Sequence, residues 1–185
     1  YFRTGYPKNA TSSFIRTSLA SMSCLLIKTK FLKKMIASYG YFLNPLLTWY
    51  LDDVEFSIRA LAQGGILYKD RSVVAHHLRT YTWGRKSYTV IFYSFRNLIW
   101  VILLTWPKQI IIKNFLRIVC WQLLTCVYCL LKYSPLLYPK MVADTCRHWR
   151  PLMKERKKIL SGYRDITIFR SMFSDLEIRH DKITF

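Results

Sequence analysis

Apolar positions recur at helical spacing in some stretches of this chain and cluster into short runs in others. Phe31, Met35 and Ile36, within Lys30 to Ser38, predict a helix that Gly40 ends. The run from Ala20 to Lys28 suits a buried strand, while residues 1 to 19, polar and rich in Ser and Thr, read as a loop. Asn44-Pro45 marks a turn. Leu51, Val54, Ile58 and Leu61 then fall at i, i+3, i+7 and i+10, one apolar face of a helix that Gly64-Gly65 closes. Ile66 to Tyr68 and Ser72 to Ala75 predict two short strands around a turn at Asp70, the second delivering His76 and His77 at its end.

Residues 88 to 106 are aromatic and apolar, interrupted by Arg96 and Asn97, and predict a helix up to Pro107. A second apolar segment is broken early by Lys113 and Arg117, leaving Ile118 to Leu131 free of charge. That is about fourteen residues, where a membrane span needs roughly 20. A buried or membrane-surface helix pair is therefore expected in preference to a span. Pro135 and Pro139 should end the region, before the basic stretch Arg147 to Lys158 and a polar tail. These shifts divide the chain into residues 1–97, an apolar helical part at 98–138 and a basic helical tail at 139–185.

The 185 residues suffice for one domain or part of a larger one. The chain begins with Tyr1 and has no signal-peptide pattern, and it is expected to be a piece of a longer protein. Twenty-nine Lys and Arg face ten Asp and Glu, a net charge of +19 that predicts an anionic partner. No zinc-finger or RNP pattern is present, and the aromatics lie in apolar runs, so no nucleic-acid partner is expected. Five cysteines, an odd number, suit a reducing compartment, and Cys126 and Cys129 read as small buried hydrophobes.

Against this basic background, Leu51-Asp52-Asp53-Val54-Glu55-Phe56 concentrates three of the ten acids. A single acid suffices to cap a helix; three adjacent ones repel unless cations or hydrogen-bond donors meet them. An ionised carboxylate at a loop exit can instead take a proton from a sugar hydroxyl as it attacks an electrophilic carbon.

The acids are followed by Arg59, Gly64-Gly65, Val73-Val74-Ala75-His76 and Tyr93-Ser94-Phe95-Arg96-Asn97. This order resembles the C-terminal part of family 2 glycosyltransferases, closest to the galactofuranosyltransferase and rhamnosyltransferase branch. The resemblance covers residues 20 to about 100. It implies an α/β fold, the C-terminal half of a GT-A domain, followed here by an apolar and basic helical extension. It also implies inverting transfer of a sugar from a nucleotide-diphosphate donor to a glycan or lipid-linked acceptor, in envelope or capsular polysaccharide synthesis. The second acid of the pair, Asp53, would be the catalytic base. Asp52 would orient the acceptor, and Glu55 would contact acceptor hydroxyls or a basic neighbour. Trp49 and Tyr50 would supply the acceptor-side aromatics, since Leu51 stands where the family has one. Arg96 and Asn97 would brace the acidic loop or touch donor phosphate, and Arg59 would pair with an acid or buttress the site. His76 would be one ligand of a divalent metal, Mn or Mg.

The family's Asp-x-Asp does not occur in this sequence. The donor half and most of the metal site are thus expected upstream, with these residues inactive alone. The basic and apolar helices imply peripheral attachment to an anionic membrane, at the cytoplasmic face of the plasma membrane. The alternative is a non-enzymatic membrane-associated helical protein, with residues 98 to 138 as a hairpin in the bilayer and the acids merely capping a helix.

Overall fold

In the computed structural model, which describes residues 2–4, 14–75 and 87–163, the chain is mostly helical with short strands, a mixed α/β arrangement. Strands β1 (Phe2–Thr4) and β2 (Phe14–Thr17) lie where the sequence predicted a loop. Both pair antiparallel with strands far along the chain, β1 with β4 (Val73–Ala75) and β2 with β3 (Leu67–Asp70). Thr4 stands opposite Val73 and Phe14 opposite Asp70. Nothing like the same length of chain separates the two ladders on each side, 5–13 against 71–72, so they cannot share one register. The expected strands around Asp70 exist, but each bonds to the N-terminal segment, the two forming separate two-stranded sheets.

The expected strand at Ala20 to Lys28 does not form; Leu26 is fully exposed there. Helix α1 (Thr29–Tyr39) follows, and Gly40 ends it at φ 77, a left-handed conformation, with its N–H donating to the Ile36 carbonyl. Helix α2 (Asp52–Ala62) closes at Gln63, after which Gly65 passes so close that a Cβ would lie 2.7 Å from the Ala60 carbonyl oxygen.

The long apolar helix α3 (Tyr88–Thr105), capped by the Ser87 hydroxyl accepting from the Val90 N–H, ends before Pro107 as expected. Short α4 (Lys108–Lys113) leads to α5 (Phe115–Lys132), then α6 (Leu137–Arg147) and α7 (Trp149–Ser161). Pro139 does not end this region. It sits in the first turn of α6, where a missing N–H leaves no helical hydrogen bond unmade.

One core joins α1, α2, α3 and α7 through Met35, Tyr39, Phe56, Trp100, Leu152 and Ile159. A smaller cluster joins α5 and α6, through Cys129, Leu137 and Met141, to Phe92 and Phe95 of α3. The boundaries expected at 97/98 and 138/139 fall inside α3 and α6, and α7 belongs to the core of the first part. Hydrogen bonds reinforce that union: Gln63 Nε2 donates to the Tyr39 hydroxyl at 3.0 Å and to the Gly162 carbonyl at 2.7 Å. Cys129 is buried as expected of a small hydrophobe, whereas Cys24, Cys120 and Cys146 are exposed thiols.

Candidate functional site

The acids of α2 owe their position to an unusual turn. Tyr50 and Leu51 both adopt left-handed backbone, φ 62 and 64, which costs a non-glycine residue about 1–2 kcal/mol each. The turn persists because its carbonyls have a dedicated partner. The Asn97 Nδ2 group, buried on α3, donates to the carbonyls of both Trp49 and Tyr50, the latter at 2.8 Å. Arg96 orients that amide, donating from Nε and Nη2 to Asn97 Oδ1 at 3.0 and 2.7 Å. Its Nη1 reaches Asp144 Oδ2 on α6 at 2.8 Å, and its guanidinium lies 3.9 Å from the Trp100 ring centroid. Arg96 and Asn97 are thus arranged as braces of the acidic loop, and both are buried.

Beyond this turn, α2 opens with Asp52, Asp53 and Glu55 in its first turn and Leu51 as an N-cap without a capping side chain. Asp53 Oδ1 accepts the Val54 N–H at 2.8 Å. Ser57 Oγ donates to the Asp53 carbonyl at 2.7 Å and accepts from the Ala20 N–H at 2.9 Å, tying the helix start to the segment before α1.

Asp52 lines a cleft of about 260 Å³ with Trp49, Tyr50, Thr89 and Val90. Trp49 and Thr89 also border a larger cleft of about 610 Å³, whose other walls include Tyr88, Phe92, Tyr93, Lys140, Asp144 and Arg147. Its aromatics support one another. Trp49 meets Tyr93 edge-on at 5.2 Å, Phe92 meets Tyr93 edge-on at 5.3 Å, and Tyr88 stacks on Phe92 at 6.5 Å. Lys140 Nζ stands 5.7 Å from the Tyr88 ring centroid. Such a groove offers apolar ring surface for the C–H face of a sugar, with the charged side chains of Lys140, Asp144 and Arg147 on its wall.

The structure brings Asp52, Trp49 and Tyr50 together on this surface. Asp53, half-buried, lines neither of the two clefts.

Glu55 is placed differently from its acceptor-contact role. It and Arg59 are fully buried, with Arg59 Nε donating to Glu55 Oε1 at 2.6 Å. Asn44 Nδ2 donates to the same oxygen at 3.3 Å. Of its two expected partners the structure supplies the basic neighbour, because Glu55 follows Leu51 by four and precedes Ile58 by three on the inward face of α2. Arg59 is held in turn by the Phe42 carbonyl at 2.8 Å and by the rings of Tyr39 and Tyr41, 5.0 and 4.9 Å away. Burial holds the Glu55 carboxyl above the usual carboxylate range, Arg59 and Asn44 drawing it part of the way back.

His76 and His77 lie outside the described residues, and the expected metal role of His76 goes with them. Among the described residues no group of three or more His, Cys, Asp or Glu is gathered to hold a metal ion.

Several cleft residues had no assigned role in the sequence: Tyr88, Phe92, Lys140, Asp144 and Arg147. A signal existed, since Tyr88 and Phe92 are four apart, and Lys140, Asp144 and Arg147 follow at intervals of four and three on one face of a helix. No family model, curated protein or solved structure matches this chain. The likeness to family 2 glycosyltransferases therefore rests on the order of motifs in the sequence.

Proposed function

We propose that this chain is the acceptor-binding, base-supplying half of an inverting glycosyltransferase of GT-A type. In this reading a second half, carrying the Asp-x-Asp, binds the nucleotide-diphosphate sugar. The observation that carries the reading is the start of α2, where a braced left-handed turn sets Asp52 on a cleft wall with Trp49 and Tyr50, and Asp53 follows it half-buried. Asp53 takes the proton of the acceptor hydroxyl as its oxygen attacks the anomeric carbon, so the new bond forms on the face opposite the departing diphosphate. A weak base suffices, because the hydroxyl becomes acidic only as bonding proceeds. Asp52, on the cleft wall, holds a neighbouring acceptor hydroxyl, and the rings of Trp49 and Tyr93 receive the sugar face. A divalent metal, where present, would neutralise the leaving diphosphate, and His76 would be one of the residues holding it.

The cleft can be tested on the chain alone. Saturation-transfer NMR with a set of envelope-type oligosaccharides should show sugar protons receiving magnetisation from the protein. Trp49→Ala should abolish the transfer. No contact with any saccharide, or contact indifferent to Trp49→Ala, would remove the cleft as the acceptor site.

A further inference from the structure

We propose that α5 is an in-plane membrane anchor, lying in the headgroup region of an anionic bilayer with its outward apolar face toward the acyl chains. The inference stands independently of the glycosyl-transfer reading.

Most of the apolar surface of helix α5 faces away from the protein. Its protein-facing side carries Cys129, Thr125 and Gln122: Cys129 and Thr125 are buried, and the Tyr138 hydroxyl donates to Gln122 Oε1 at 3.2 Å. Its outward side shows Leu116, Trp121, Leu123, Leu124, Leu130 and Leu131, all exposed. Only 11% of the helix is buried, against 39% for α3, the other helix of comparable length and hydropathy. Helix α3 is accounted for by the core it builds with α2, α6 and α7. Nothing within the described residues covers the outward face of α5, and so long an apolar surface marks a contact with something apolar.

Charge decides what that is. Lys108, Lys113 and Lys132 are exposed in α4 and at the end of α5, with Arg117 in the first turn of α5, and the sequence has no acid between Asp70 and Asp144. A second copy of this face would oppose these cations with more cations. Anionic headgroups would pair with them while the leucines enter the acyl boundary, and Trp121 suits that interface.

A span fits less well. Length does not decide this, since eighteen residues at a mean hydropathy of 1.5 are enough to cross a membrane. The neighbouring helix does: α6, packed on α5 through Leu137 and Met141, would carry Lys140, Asp144 and Arg147 toward the hydrocarbon.

Flotation of the 185-residue chain with vesicles tests the proposal. It should bind vesicles of phosphatidylcholine with phosphatidylglycerol, bind pure phosphatidylcholine at least about tenfold more weakly, and come off in alkaline carbonate. Leu124→Glu with Leu131→Glu should reduce binding at least about tenfold, with the circular dichroism spectrum unchanged because both positions face outward. Lys113→Glu with Lys132→Glu, which leaves the apolar face intact, should reduce binding to the anionic vesicles alone. Resistance to carbonate would overturn the in-plane orientation in favour of a span. Equal binding to neutral and anionic vesicles would overturn the charge argument. Failure to bind, whether the chain sediments as a monomer or as a dimer, would overturn the anchor itself, and a dimer would make a second copy the occupant.

Discussion

Replacing Arg59 by Met would leave Glu55 in the core without its cation. In the native protein the pair is fully buried at 2.6 Å, and Glu55 Oε2 and Arg59 Nη1 find no partner among the described residues. A buried ion pair of this kind adds little net stability, because desolvation offsets most of the attraction, but removing one partner strands the other. The expected loss for Arg59→Met is about 3–5 kcal/mol. For a chain of this size that lowers the melting temperature by roughly 6–20 °C. Glu55→Gln with Arg59→Met removes both charges and keeps an acceptor for Asn44, and it should recover most of the loss.

The pH dependence follows from the direction of the Glu55 shift. Its folded pKa is raised, chiefly by burial, so the protonated form is the one favoured by folding. The group's contribution is fully present below the unfolded carboxylate value and is lost as pH rises through the folded one. Arg59→Met removes the largest influence that lowers this pKa, so its penalty should be largest near neutral pH and shrink toward pH 5. Urea unfolding followed by circular dichroism at the two pH values measures both effects. A single-variant loss below about 1 kcal/mol, a double variant no better than the single, or a penalty that grows on acidification would refute the reasoning.

The brace on the acidic turn should be equally measurable. Asn97→Ala removes the donors to the Trp49 and Tyr50 carbonyls and should cost about 1–3 kcal/mol, with faster amide hydrogen exchange at Leu51 and Asp52. Gly65→Ala drives a Cβ to 2.7 Å from the Ala60 carbonyl oxygen and 2.8 Å from Phe31, a backbone clash expected to cost about 1–3 kcal/mol in the same unfolding assay.

Local signals carried much of the helical structure. Helix α1 was legible because Phe31 and Met35, four apart, mark its inward face, although Ile36 is exposed, and Gly40 supplies a residue that stops a helix at positive φ. The end of α3 was legible because Pro107 cannot continue the ladder of hydrogen bonds. Strands were less so. Phe2–Thr4 and Phe14–Thr17 have no strong strand pattern and are fixed by partners fifty or more residues away, information that no short window contains. The run at Ala20 to Lys28 shows the converse, apolar composition that pairs with no strand among the described residues.

The acidic cluster was visible as charge, and its identity as the opening of α2 was read correctly. The left-handed Tyr50 and Leu51 were not, because neither residue type favours that conformation and the Trp49 and Tyr50 carbonyls of the turn are met by Asn97 on a distant helix. Glu55 was expected to contact acceptor hydroxyls or a basic neighbour; its spacing from Leu51 and Ile58 puts it on the inward face, against Arg59. The far wall of the cleft could not be seen until α3 and α6 were packed together.

Sugar transfer by Asp53→Asn, measured with the donor-binding half present and beside Asp52→Asn, bears on the proposed chemistry more closely than any other experiment. Asn cannot take the acceptor proton, so turnover should fall at least about 100-fold while donor binding is unchanged. Asp52→Asn should mainly raise the acceptor KM. Undiminished turnover by Asp53→Asn would contradict the assignment of that carboxylate as the base.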